Sequence, residues 1–157
     1  MVKSLDYQQT PKLLDHIGWR LWQASEIWKE RFQAEMVLAG YAWFAEARAN
    51  VIPYLDRKGT RQTELVGRMG VSKQAIQQFI DDLVADGIVK RQPAPDDGRG
   101  KTILFTKEGL MVLNESNRVK RAIQKEYEKR LGKTKFQQFY EALTILHSPD
   151  SSPAENE

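Results

Sequence analysis

A short polar run between positions 72 and 78 has the side chains that read nucleic-acid bases. Its members are Ser72, Lys73, Gln74, Gln77 and Gln78. Amides can pair with adenine through two hydrogen bonds, and lysine can reach guanine or a phosphate. A helix that carries such residues on its N-terminal half suits a DNA major groove. The alternative interpretation is that glutamine, a good helix former, simply lines a solvated face.

The sequence around this run predicts two helices joined by a tight turn. The first helix is expected from Arg61 to Met69 and ends at Gly70, which tolerates a left-handed cap. Ser72 is a good N-cap for the second helix, which is predicted to run to Ala85. Its apolar face consists of Ala75, Ile76, Phe79, Ile80 and Leu83.

A β-hairpin is predicted directly after Gly87. Its strands are 88–90 and 102–105, and the loop between them is rich in Pro, Gly and charge. Arg99 at the tip can enter a minor groove, whose potential attracts a guanidinium. Lys90, Arg91 and Lys101 are candidates for phosphate contacts. An ordinary polar hairpin tip is the alternative, which is less common directly after a helix-turn-helix.

Four short segments resemble the MarR family of bacterial transcription regulators. They are Val71-Ser72-Lys73, Leu83 to Val89, the hairpin tip Asp97-Gly98-Arg99, and Leu104 to Gly109. The resemblance covers residues 55–113. It implies that Ser72, Lys73, Gln74, Gln77 and Gln78 occupy the family's recognition-helix positions and that Arg99 occupies its wing-tip position.

The flanking segments predict long helices whose apolar faces must pack against another surface. Apolar residues recur at helical spacing over 12–39, over 107–130 and near the C-terminus, where Thr134 and Gln137 predict a capping box. We therefore expect a mainly α fold with a small β-hairpin wing: a winged helix-turn-helix flanked by N- and C-terminal dimerisation helices. The expected divisions are a helical dimerisation region (1–40 and 107–147), a DNA-binding lobe (41–106) and a disordered tail (148–157). A helix is also expected over 45–55, kinked near its end by Pro53.

Composition narrows the classes of protein. The 157-residue chain has 41% hydrophobic residues, a net charge of +3 and no cysteine. The absence of cysteine excludes disulfides and thiol-based redox sensing. No signal-peptide pattern and no membrane-length apolar run is present, so we expect a cytoplasmic protein without membrane contact.

An aromatic cluster raises the question of a small ligand. The candidate residues are His16, Trp19, Arg20, Trp22, Tyr41, Trp43 and Phe44. Members of the resembled family often bind small aromatic acids, which weaken their hold on DNA, and Arg20 or Arg48 can pair a carboxylate. The alternative, which the helical spacing favours, is that these aromatics pack in the core or at an interface.

The sequence gives little sign of catalysis. It lacks a cysteine nucleophile and a phosphate-cradling glycine loop. His16 and His147 can form a metal or pH-sensitive pair only if they meet in space, and two ordinary helix histidines are the favoured interpretation. We therefore expect no enzyme activity, no cofactor and no metal.

These observations predict a homodimeric transcriptional regulator, acting as a repressor on double-stranded, pseudo-palindromic DNA. A small aromatic effector is expected to control it if a pocket exists. The alternative is a winged-helix module that binds protein instead of DNA, because a fold does not fix a function.

Overall fold

The computed structural model describes residues 12–93 and 100–147, and this part is mainly helical with a small antiparallel sheet. The expected fold class is confirmed. The α-helices are α1 (Ile17–Leu38), α2 (Gln62–Met69), α3 (Lys73–Ala85), α4 (Lys107–Leu131) and α5 (Lys133–His147). The strands are β1 (Thr60–Arg61), β2 (Val89–Pro93) and β3 (Lys101–Phe105). Two 3-10 segments span Ala42–Ala45 and Ala47–Tyr54.

The chain divides between Arg31 and Phe32 into two compact units. The helix α1 begins in the first unit and ends in the second, and it starts at Ile17 rather than at the expected Lys12. In the second unit Met36 is fully buried, so the end of α1 contributes to that unit's core.

The segment before α2 and α3 differs from the prediction. A helix was expected over 45–55, but the chain forms the two 3-10 segments, which Glu46 separates with extended backbone. Pro53 lies inside the second segment and has no N–H to donate to an α-helical carbonyl. Val51 and Ile52 are buried, so the segment still supports the core.

The helix-turn-helix itself follows the sequence closely. Gly70 ends α2 in the left-handed conformation with φ of 64°. The Ser72 hydroxyl oxygen accepts a hydrogen bond from the Ala75 N–H at 3.1 Å and caps α3. Leu65 from α2 and Ile80 from α3 are fully buried between the helices and the rest of the second unit. These contacts fix the outward side of α3.

The described part contains a three-stranded antiparallel sheet with strand order β1-β3-β2. The hairpin register pairs Val89 with Phe105 and Pro93 with Lys101. The expectation that the loop starts at Arg91 is wrong, because β2 continues to Pro93. The short strand β1 was not expected. It pairs Thr60 with Ile103, and for this reason α2 begins one residue later than predicted.

The helices α4 and α5 follow the sheet. Thr106 caps α4, since its hydroxyl oxygen accepts from the Gly109 N–H at 3.0 Å. The predicted capping box of α5 is wrong: α5 already begins at Lys133, so Thr134 lies inside it. The Gln137 amide donates to Glu141 at 2.8 Å instead of reaching back to Thr134. The tail 148–157 lies outside the described residues.

Candidate nucleic-acid interface

The outward side of α3 carries the five predicted base-reading residues, and all five are exposed: Ser72, Lys73, Gln74, Gln77 and Gln78. The opposite side of the helix is buried through Ile76, Ile80 and Leu83. The core therefore determines which side chains α3 presents. Within the described residues, the side chains of Lys73 and Gln74 have no hydrogen-bond or ion-pair partner.

The amide of Gln77 lies in a closed ring of four side chains, which we call the Gln77 ring. Gln77 Nε2 donates to both carboxylate oxygens of Asp81 at 3.0 Å. Gln77 Oε1 accepts from Gln62 Nε2 at 2.7 Å. Arg91 completes the ring, with its Nη1 2.6 Å from Asp81 Oδ1 and its Nε 3.4 Å from Gln62 Oε1.

The hydrogen bonds of the ring stabilise the ionised form of Asp81. The hydrogen bond from Gln77, followed by that from Arg91, lowers the pKa of Asp81 below 3.8, and Lys101 adds a smaller electrostatic contribution. Asp81 is therefore a carboxylate at neutral pH, which accepts hydrogen bonds and donates none. Three elements meet in the ring: α2 through Gln62, α3 through Gln77 and Asp81, and β2 through Arg91.

The neighbouring amide has a simpler environment. Gln78 Nε2 donates to Asp82 Oδ1 at 2.8 Å, one helical turn along α3. Among the residues that the structure describes, no second side chain forms a hydrogen bond with Gln78 in the way that Gln62 does with Gln77.

The cationic side chains of the wing differ in how exposed they are to solvent. Lys90 and Lys101 are exposed on β2 and β3, where they can reach a phosphate. The side chain of Arg91 is only 19% exposed and faces Asp81, and its Nη2 is buried without a hydrogen-bond partner in the described structure. Arg99 and its neighbour Asp97 lie outside the described residues.

Arg48 has partners within its own chain. Its Nη1 lies 2.9 Å from Asp86, the residue that caps the end of α3, and its Nε lies 3.1 Å from Glu46. The sequence suggested Arg48 as a partner for the carboxylate of a ligand. In the structure it joins the 3-10 segment to the end of α3.

The candidate ligand residues of the first unit form a local group. The rings of Trp19 and Trp22 stack at 4.9 Å, and both are exposed. The Trp19 backbone N–H donates to His16 Nδ1 at 3.3 Å. Arg20 pairs with Asp15 and donates from Nε to Oδ1 at 2.8 Å.

In the second unit, the aromatic candidates pack as a core. Phe44 is buried, and its ring lies 4.4 Å from the ring of Trp43 and 5.6 Å, edge-on, from the ring of Phe32. Tyr41 is half-buried nearby in sequence. Lys120 of α4 lies over Phe32 at 5.4 Å, and burial lowers the pKa of its ammonium group. The packing interpretation of Trp43 and Phe44 therefore agrees with their surroundings.

Sequence reasoning missed Gln62 and Asp81. The spacing of four between Gln77 and Asp81 is a recognisable signal, because such residues are neighbours on a helix. Gln62 lies fifteen residues before Gln77, and no local pattern connects them.

Within the described residues, no cluster of three or more His, Cys, Asp or Glu side chains can hold a metal ion. None of the described helices has the length and apolar character needed to cross a membrane.

The fold and the surface of α3 define a winged helix-turn-helix protein. Residues 47–100 match the model of the MarR family, and the chain has the fold of solved MarR regulators. No curated protein sequence matches the chain.

Several solved structures share this fold. A cysteine-to-serine mutant of MarR from E. coli is 17% identical, with a TM-score of 0.72, over 87% of this chain and 100% of that one. The same mutant complexed with operator DNA is 19% identical, with a TM-score of 0.67, over 84% and 94% of the two chains. A MarR-family regulator from Rhodococcus sp. RHA1 is 22% identical, with a TM-score of 0.68, over 89% and 99%. At these identities the likeness concerns the fold.

Proposed function

We propose that this protein is a cytoplasmic, sequence-specific DNA-binding repressor that binds a pseudo-palindromic operator as a homodimer. The observation that carries the proposal is the outward side of α3. Lys73 and Gln74 are exposed at its first turn, and Gln77 and Gln78 follow on the next. These are residue types that read base edges from a recognition helix in a major groove.

The wing supports the same proposal. Lys90 and Lys101 are exposed on the two hairpin strands, and the loop between those strands contains Arg99. Phosphate contacts from such cations position the protein and make its affinity depend on salt. The E. coli mutant with the same fold has been solved in complex with operator DNA, which supports the proposed binding to DNA.

The homodimer is supported by the uncovered apolar side chains of α5. No residue of this helix is buried, and Tyr140, Ile145 and Leu146 are 56%, 60% and 70% exposed. Contiguous apolar surface of this kind marks interaction sites. We assign 1–40 and 107–147 to the dimerisation region and 41–106 to the DNA-binding lobe, so two recognition helices would reach half-sites about 10 bp apart.

The most detailed part of the proposal is that a small aromatic acid controls DNA binding. It is supported by the exposed, stacked rings of Trp19 and Trp22 with Arg20 beside them in sequence. An aromatic carboxylate would stack on the rings and compete with Asp15 for Arg20. Benzoate should then quench tryptophan fluorescence and release the operator, and both effects should disappear in Trp19→Ala.

The proposal is tested by selecting bound duplexes from a random DNA pool with the purified protein and sequencing them. An enriched inverted repeat with half-sites about one turn apart supports a dimeric regulator. Placing that repeat over a reporter promoter then tests repression. Salt-sensitive retention without sequence enrichment would favour a winged helix that serves a protein partner.

A further inference from the structure

We propose that Asp81 and Gln62 are specificity-determining residues that act through Gln77, by holding its amide in the one orientation that pairs with adenine. The inference rests on the proposed DNA binding. Asp81 and Gln62 themselves need not touch a base, and they act as positioning residues.

The amide of Gln77 is only partly used by the ring. A glutamine amide has two N–H donors and an oxygen with two lone pairs. Both oxygens of Asp81 lie 3.0 Å from Gln77 Nε2 and belong to one carboxylate, so a single N–H directed between them serves both. Gln62 Nε2 occupies one lone pair of Gln77 Oε1. One N–H and one lone pair of Gln77 therefore remain.

This remainder matches one base. In the major groove adenine offers the N7 acceptor beside the N6 donor, and a glutamine amide satisfies both at once. The exposed position of Gln77 on α3 makes the amide accessible to a base edge. An amide already oriented in the protein loses less freedom when it binds.

The ring also excludes the reversed amide. If the Gln77 amide turned over, its oxygen would face the carboxylate of Asp81 and its NH₂ group would face the NH₂ group of Gln62. Both contacts would be unfavourable, because a carboxylate cannot donate and two donors cannot pair. Arg91 contacts Asp81 and Gln62 and keeps both partners in place from β2.

Gln78 provides an internal comparison. Its amide has a single side-chain partner, Asp82 at 2.8 Å. Asp82 lies next to Asp81, carries the same charge and lies outside the ring. Replacing either acid by asparagine thus makes the same change in charge, but only Asp81→Asn gives Gln77 a partner that can donate as well as accept, so that the reversed amide of Gln77 is no longer excluded.

The test compares the DNA sequences selected by wild type, Gln77→Ala, Asp81→Asn, Asp82→Asn and Gln62→Ala. Gln77→Ala identifies the base pair at which adenine enrichment is lost. We expect Asp81→Asn and Gln62→Ala to reduce adenine enrichment at that pair by on the order of 10-fold, within the discrimination of one bidentate contact. Asp82→Asn should keep it. Gln62→Ala leaves the Asp81–Arg91 pair in place and covers the case in which Asp81→Asn weakens folding.

Adenine enrichment that persists in Asp81→Asn and Gln62→Ala, or that falls equally in Asp82→Asn, would overturn the proposal. So would a Gln77→Ala variant that selects the wild-type sequence. If the wild-type protein selects no DNA sequence, the proposed function fails. The Gln77 ring can then be tested separately by NMR on the protein without DNA. There the side-chain NH₂ signals of Gln77 should shift in Asp81→Asn and not in Asp82→Asn, and unchanged signals in both would refute the ring.

Discussion

Gly109 of α4 lies directly against the carbonyl oxygen of Ile88, in the turn between α3 and β2. A Cβ atom on Gly109 would lie 2.0 Å from that oxygen and 3.0 Å from the ring of Phe105. Thr106 reinforces the junction, because its hydroxyl donates to the carbonyl oxygens of Gly87 at 2.5 Å and Ile88 at 3.2 Å. The start of α4 is therefore packed closely against Gly87 and Ile88, which follow the end of α3.

Gly109→Ala should destabilise the protein by about 1 to 3 kcal/mol, the usual cost of overpacking a filled site, because the clashing atom belongs to the backbone. Gly67→Ala is the matched control. Gly67 lies inside α2, and nothing approaches its added Cβ within 4 Å, so alanine should stabilise by about 0.5 to 1 kcal/mol. Urea unfolding measures both variants. Equal effects of the two substitutions would contradict the close junction.

The titration of Asp81 tests the ring through its charge. We expect the carboxyl carbon signal of Asp81 to titrate below 3.8 in wild type, since the hydrogen bond from Gln77 and the contact with Arg91 lower its pKa. Gln77→Ala should move the midpoint upward, even though Arg91 remains. Gln78→Ala, which removes a partner of Asp82, should leave the Asp81 midpoint in place. If the titration midpoint of Asp81 is the same in Gln77→Ala as in wild type, the hydrogen bond between Gln77 and Asp81 is absent.

The sign of the pH effect follows from that lowered pKa. A carboxylate whose folded pKa is depressed adds stability above its unfolded pKa and loses that contribution as the pH falls through the folded value. The ring should therefore persist across the neutral range and break only in acid, below the ordinary pKa of an aspartate.

The helix α3 was predictable because local chemistry fixes its ends. Ser72 supplies the cap, Gly70 and Gly87 adopt positive φ, and the apolar spacing chooses the buried side. The same local rules failed over 45–55, where an apparently helical segment with Pro53 near its end forms 3-10 structure. They also failed at α5, where Gly132 rather than Thr134 precedes the helix.

Features that depend on contacts between residues far apart in the chain could not be predicted from the sequence. The strand β1 has two residues, and its only signal is its partner β3, about forty residues away in the chain. Arg91 was expected to contact phosphate, yet its guanidinium faces Asp81 because β2 continues past Lys90. The carboxylates that Arg48 pairs with could not be named before Glu46 and Asp86 were placed.

The proposed homodimer should dissociate when a charge is placed on the apolar side of α5. Leu146 is 70% exposed in the single chain, so burying it against a second copy would stabilise the dimer by about 1.5 to 3 kcal/mol per subunit. Leu146→Glu should therefore weaken dimerisation on the order of 100-fold or more. Sedimentation would then show the 18.1 kDa monomer. Glu141→Ala, on the same helix but bonded to Gln137, should remain dimeric, and a Leu146→Glu dimer would place the interface elsewhere.

Arg99 carries the prediction that comes from the sequence alone. If its guanidinium enters the minor groove next to the recognition helix, Arg99→Ala should weaken operator binding and reduce the slope of log affinity against log salt by about one. Arg118→Ala is the matched control, because it removes the same charge from α4, where Arg118 pairs with Glu115 at 2.6 Å. Fluorescence anisotropy at several salt concentrations measures both slopes. If the slope in Arg99→Ala stays at the wild-type value, Arg99 does not contact the DNA. If the slope falls equally in Arg118→Ala, the effect of Arg99→Ala comes only from the change in net charge.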